Sequence, residues 1–236
     1  MSWRSLKGTL LPWQIPICFL LVGVAANGCA AQAPHPLPLQ GADFQSWDEL
    51  DASIRLTESV DVTLAAQGRF SSELSNPAKY KLGSDWNFRI AKFLVVTASY
   101  YYFAFHTATG ASGHGQVPIM AVTAVFERGR FTFSDRNRFL GEVGVTGTAP
   151  FWVYRNRPRI DYRVGPSKWK TSVFTWDEVF HYSTRDGVTR NRFAVGGRKL
   201  LNDRVAASLY YQRQDDSHST PAHIITLGTL LELRLR

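Results

Sequence analysis

The stretch Trp152-Val-Tyr-Arg-Asn-Arg-Pro-Arg-Ile-Asp-Tyr-Arg163 decides the fold. Arg155, Arg157, Arg159 and Asp161 occupy alternate positions, and Trp152, Tyr154, Ile160 and Tyr162 fall between them. Successive side chains of a strand point to opposite faces, so the arginines share one face and the aromatic and aliphatic side chains share the other. A strand divided this way stands between an apolar medium and a polar one. An arginine facing the middle of a bilayer costs about 2–4 kcal/mol, so in a membrane wall these arginines must face inward.

The same period continues on both sides of this segment. Val60, Val62, Leu64 and Phe70 alternate with Asp61, Thr63, Gln67 and Arg69. Tyr80, Leu82, Trp86, Phe88 and Ile90 alternate with Lys81, Asp85, Asn87 and Arg89. Val205, Ala207, Leu209 and Tyr211 alternate with Arg204, Ser208 and Gln212, and the pattern runs on to Leu233. No segment after the first thirty residues carries a sustained helical period. Charged residues make up 19% of the 236 and aromatic ones 13%, fewer charges than the quarter typical of a soluble domain.

The N-terminal segment reads differently. Arg4 and Lys7 precede an apolar stretch from Ile15 to Ala26, and small residues crowd positions 25–33. This is the order of a secretory signal peptide, and the apolar run is too short to span a bilayer comfortably. The expected organisation is a signal peptide at 1–31, a Pro-rich leader at 32–42 and a membrane barrel at 43–236. Ala26-Asn-Gly-Cys29 offers Cys29 as an alternative lipidation site. After cleavage at most one cysteine remains, so no internal disulfide is available.

No later stretch is long and apolar enough for a spanning helix, so spanning must be done by strands. In lipid every backbone N–H and C=O needs an internal partner, which forces strands to close into a barrel. The connections alternate between short turns such as 128–130 and 201–203 and longer polar loops such as 107–116 and 215–220. That is the outer-membrane arrangement, with short periplasmic turns and long surface loops. The predicted fold class is all-β, an antiparallel transmembrane β-barrel in the bacterial outer membrane. Eleven strands can be counted from Asp43. A periplasmic start and an even count predict twelve, with ten as the alternative and a missing strand near 39–50 or 131–148.

The predicted lumen-lining residues are Arg89, Arg136, Arg138, Arg155, Arg157, Arg159, Arg192, Arg198, Glu142, Asp161 and Glu232. Trp86, Trp152, Tyr154, Tyr162 and Tyr211 are expected outside, in aromatic girdles. Two places break the pattern. Asp135 and Asn137 fall on the outward face with Phe131 and Phe133, which calls for a bulge or a strand projecting above the bilayer. Asp177 and Glu178 cannot both face inward on a regular strand.

Phe131-Thr-Phe-Ser-Asp-Arg-Asn-Arg-Phe139, Tyr154-Arg-Asn-Arg-Pro-Arg-Ile-Asp-Tyr162, Trp176-Asp-Glu-Val-Phe180 and Arg190-Asn-Arg-Phe-Ala-Val-Gly196 resemble the domain-of-unknown-function 2490 family. The resemblance runs from about Trp47 to the C-terminus. It implies a bacterial outer-membrane barrel and transfers no catalytic residue, since the family has no assigned activity.

The leading functional expectation is a barrel with an Arg-rich lumen. That lumen is either a narrow anion-attracting pore or a cavity filled by ion pairs. The alternative is an outer-membrane lipid hydrolase using His181 and Ser183, two residues apart on one strand face, with Glu178 orienting the histidine. On balance the sequence reads as a non-enzyme. His106 and His114 lack nearby cysteine or aspartate, so no metal and no cofactor are expected. The formal charge of +8 would suit nucleic acid, but the basic residues alternate along strands without a stacking platform. The expected partners are outer-membrane lipids and the outer-membrane assembly machinery, with no nucleic acid; the pattern leaves the oligomeric state open.

Overall fold

A computed structural model describes residues 42–70, 77–106, 112–145, 149–184, 187–217 and 223–235. The expected signal peptide, the leader before Ala42 and Cys29 lie outside the described residues.

The alternating segments pair into one closed, all-β barrel. Its strands are β1 (Ala42–Arg55), β2 (Val60–Phe70), β3 (Pro77–Ala91), β4 (Leu94–His106), β5 (Ser112–Arg128), β6 (Phe131–Glu142), β7 (Phe151–Val164), β8 (Thr171–Tyr182), β9 (Val188–Leu200), β10 (Val205–Asp216) and β11 (His223–Leu235). Each strand is antiparallel to its sequence neighbours. The connections 56–59, 92–93, 129–130, 165–170 and 201–204 gather at one end, here the short-turn end. The remaining connections join strands at the opposite, long-loop end. The two-residue turn 129–130 depends on Gly129, whose φ of 61° lies where a side chain is strained.

The described strands number eleven, not the twelve or ten that parity predicts. With an odd count, β1 and β11 run in the same direction. They pair in parallel, from Ala42↔His223 to Ile54↔Leu235. Closure requires only that the final seam be hydrogen-bonded, and a parallel ladder meets that requirement with slightly weaker, slanted bonds. Among the described residues no twelfth strand emerges from the two places expected to hide one. Of the described residues, 42–50 belong to β1, and the region after β6 adds a single bridge, Val143↔Gln116.

The two faces separate as the alternation requires. Leu82, Ile90, Met120, Leu209 and Leu227 point outward and are more than half exposed, as lipid-facing side chains would be. Trp86, Trp152, Tyr154 and Tyr211 share that face, and Tyr162 follows on the outward side of β7. Inside, Tyr101, Phe103, Val117, Ile119, Leu140, Val153 and Phe180 form an apolar cluster. A second interior cluster joins Phe174, Trp176 and Ala194. Inward glycines make room for these rings. A Cβ at Gly83 would come within 2.4 Å of the Tyr101 ring, and one at Gly228 within 2.0 Å of the Tyr210 ring.

Neither sequence misfit is a bulge. The β6 ladders to β5 and β7 run without a register shift, so Asp135 and Asn137 do point outward. On β8 Glu178 is buried inside, and Asp177 faces out with Val173.

Candidate functional site

The interior is built by the inward positions of every strand. Near its middle sits Glu178, 1% exposed. Its Oε2 accepts a hydrogen bond from Arg155 at 2.5 Å and lies 3.7 Å from Arg192. Around this hub the cations alternate with aromatic rings. Arg155 and Arg192 lie over Phe180 at 4.4 and 4.6 Å, and Arg69 lies over Trp47 at 3.8 Å. Lys79 covers Phe103, Lys81 covers Tyr101, Arg157 covers Trp176 and Arg159 covers Phe174. Each such contact is worth about 0.5–2 kcal/mol, more where water is excluded. Most of these stacks occupy the middle and the long-loop side of the lumen, and the Arg159–Phe174 pair extends toward the short-turn end.

Other arginines are paired. Arg159 donates to Asp161 at 2.6–2.7 Å, and Arg198 donates to Glu232 at 2.5 Å. Arg190 donates to Asp216, and Arg89 to Asp61. Arg136, Arg138 and Arg157 differ, for no ion pair reaches them among the described residues. The buried Nε of Arg136 has no hydrogen-bond partner. Arg136 and Arg138 line a cavity of about 190 Å³ with Asn87, Thr97, Ser99 and Thr123, toward the short-turn side of the aromatic stack. Thr97 donates to Asn87 Oδ1 at 2.8 Å, which leaves the Asn87 amide N–H groups available. Two guanidinium groups, an amide and three hydroxyls form a wall rich in donors.

All eleven residues expected to line the lumen fall on the inward side of their strands by parity with buried neighbours. They do not form one uniform track. Arg155, Arg159, Arg192 and Arg198 are tied to carboxylates, whereas Arg136, Arg138 and Arg157 are not. Glu142 lies at the long-loop end of β6. Sequence reading missed Trp47, Arg69, Lys79 and the inward rings Tyr101, Phe103, Trp176 and Phe180. The parity of Phe180 with Glu178 was a usable signal. The assumption that aromatics face lipid concealed it.

The residues of the hydrolase alternative are not brought together. Glu178 points into the lumen and is held by arginines, and His181 lies on the outer face beside the Tyr154 ring. Ser183 Oγ accepts the Trp152 backbone N–H at 3.0 Å. Among the described residues no group of three His, Cys, Asp or Glu is placed to hold a metal ion.

Residues 44–223 match the family described as "Protein of unknown function (DUF2490)". The chain belongs to this family. Its closed hydrogen-bond ring and apolar exterior, around an interior of charges and aromatic rings, are the form that lipid demands. It is a bacterial outer-membrane β-barrel protein, in contact with membrane lipid. Among solved structures it is similar to the NanC porin in a rhombohedral crystal form, at 8% identity. That likeness covers 82% of this chain and 99% of that one, with a TM-score of 0.49. It is also similar to the translocator domain of the autotransporter NalP from Neisseria meningitidis, at 12% identity. Here 89% of this chain and 91% of that one are covered, with a TM-score of 0.45. No curated protein matches the DUF2490 barrel in sequence.

Proposed function

We propose that this barrel is a non-enzymatic, narrow conduit whose lumen attracts small anions. The reading is supported by one observation above all. Arg136 and Arg138 form no direct ion pair among the described residues, in contrast to Arg155 and Arg192, and line a polar cavity inside the barrel. In a low-dielectric wall, unneutralised guanidinium groups focus a positive potential along the axis, which raises local anion concentration and repels cations. The hydroxyls of Thr97, Ser99 and Thr123 can replace part of an oxyanion's hydration shell. The aromatic and ion-pair layer around Glu178 narrows the path toward the long-loop end and sets an upper limit on what passes.

The test is conductance of the purified, refolded protein in a planar bilayer under a KCl gradient. The expected result is a small conductance whose reversal potential favours chloride. A double variant with Arg136→Gln and Arg138→Gln should move the reversal potential toward zero. An absence of conductance from folded protein would support the other reading, a lumen filled by ion pairs and aromatic rings. Unchanged selectivity in the double variant would remove these two arginines from the conduit.

A further inference from the structure

The two segments that broke the alternation in the sequence come together on the outer wall. Asp135 accepts hydrogen bonds from Asn156 at 2.7 Å and from Asn137 at 3.1 Å. Asn137 in turn accepts from Asn156 at 3.1 Å and from the Tyr154 hydroxyl at 2.5 Å. On the next strands Asp177 accepts from Asn191 at 2.8 Å. These side chains lie on the outward faces of β6 to β9, a face that elsewhere meets lipid.

They are not at the membrane surface. Asp135 stands four residues above the short-turn end of β6, and Asp177 six residues above that of β8. At about 3.3 Å per residue and a tilt near 40°, that places them roughly 10–15 Å into an apolar band about 25 Å tall. The wall is weakened at the same place. The β7–β8 ladder passes from Asn156↔Val179 to Arg159↔Trp176 and skips Pro158, which has no N–H to give. Ionisable side chains and incompletely paired backbone at membrane depth are costly against acyl chains, and they mark a surface covered by protein. Asp48, outward on β1, likewise accepts hydrogen bonds within the barrel, from Thr229 at 2.5 Å and Ser46 at 3.2 Å, but stands apart from the cluster on β6 to β9.

The pattern on β8, β9 and β10 indicates the cover. Along one row of the sheet, Asp177 pairs with Phe193, and Phe193 pairs with Arg213 on the far side. An acid, an exposed apolar centre and a base therefore lie in sequence across three strands. Phe193 and Val195 form that centre, each 48% exposed. A two-fold axis along the membrane normal, passing by Phe193, brings β8 of one copy against β10 of the other. It sets each Asp177 toward the partner's base and joins the two apolar centres, the self-complementary arrangement of an isologous interface. Arg213, which also pairs with Asp215 at 3.0 Å, has the length to reach a carboxylate at a slightly different depth. We propose that the outer face of β8–β10, with the polar cluster beside it, is a dimer interface between two copies of this chain within the membrane.

The test uses the full-length protein in outer membranes, with Cys18→Ser and Cys29→Ser as background. Phe193→Cys is oxidised in the membrane, and Leu82→Cys on β3, five strands round the ring, is the control. The expected result is a band at twice the barrel mass for Phe193→Cys and none for Leu82→Cys. In the Phe193→Cys background, Asp177→Lys or Arg213→Glu alone should abolish the band, and the two together should restore it. Heat-modifiable migration of each variant shows that its barrel has formed. Absence of the band from folded Phe193→Cys protein would overturn the proposal. So would an equal band from Leu82→Cys, or an adduct with a different protein in place of the dimer.

Discussion

At the scale of single residues, Glu178 is the buried carboxylate on which the central arginines converge. It faces Arg155 and Arg192 directly, with Arg136 and Arg157 close enough to interact with it. A Glu178→Gln variant keeps the shape and removes the carboxylate that Arg155 and Arg192 share. Breaking one partner of a buried ion pair leaves cations uncompensated and costs about 3–5 kcal/mol. The expected outcome is a lower midpoint of denaturant unfolding in detergent, with the same barrel mobility before heating. The interior glycines make a parallel case. Gly228→Ala would drive a methyl group into the Tyr210 ring, which is packed against Phe174, Trp176 and Ala194. It should destabilise the barrel by about 1–3 kcal/mol through overpacking, measured in the same unfolding experiment.

At the scale of elements, β1 and β11 hold the most consequential contact, because their parallel seam completes the hydrogen-bond ring. A barrel that loses β1 would expose two strand edges to lipid, each carrying unpaired backbone groups worth several kcal/mol. Deletion of 42–55 is therefore expected to abolish heat-modifiable migration altogether. The seam also shows where sequence reading stopped. The alternation placed nearly every strand, because a period of two is a local property of a few residues. The strand count went wrong because evenness was assumed, and nothing in β1 or β11 alone states which way the last pair runs. Similarly, Asp135 and Asp177 looked like register errors. Only the uninterrupted ladders of β6 and the burial of Glu178 show that they face outward by design of the wall.

At the scale of the whole molecule, the positive lumen and the apolar exterior act together. A conduit that selects by unneutralised arginines works through long-range electrostatics, which mobile ions screen over about 8–10 Å at physiological salt and about 3 Å at 1 M. Anion preference measured in the same bilayers should decline as both KCl solutions are raised toward 1 M at a fixed ratio. A preference independent of salt would assign selectivity to close contact with the cavity's hydroxyls and guanidinium groups instead. The aromatic layer makes the lumen narrower than its strand number alone would suggest, since cations and rings of neighbouring strands stack inward from the wall and Arg192 on β9 reaches within 5.0 Å of the Trp47 ring on β1.

The sequence by itself determined the division of faces. Arg155, Arg157 and Arg159 had to lie together, away from Trp152 and Tyr154, because neighbouring side chains on a strand point oppositely whatever the rest of the chain does. It also determined that such a wall must close, because lipid offers backbone groups no partner. Only the tertiary structure decided which arginines are neutralised. Arg155 meets Glu178 from the neighbouring strand, whereas Arg136 and Arg138 form no direct ion pair among the described residues. That difference, like the parallel seam and the meeting of Asp135 with Asn156, depends on register between strands. Register is fixed by closing the whole ring at once, so no single segment carries it.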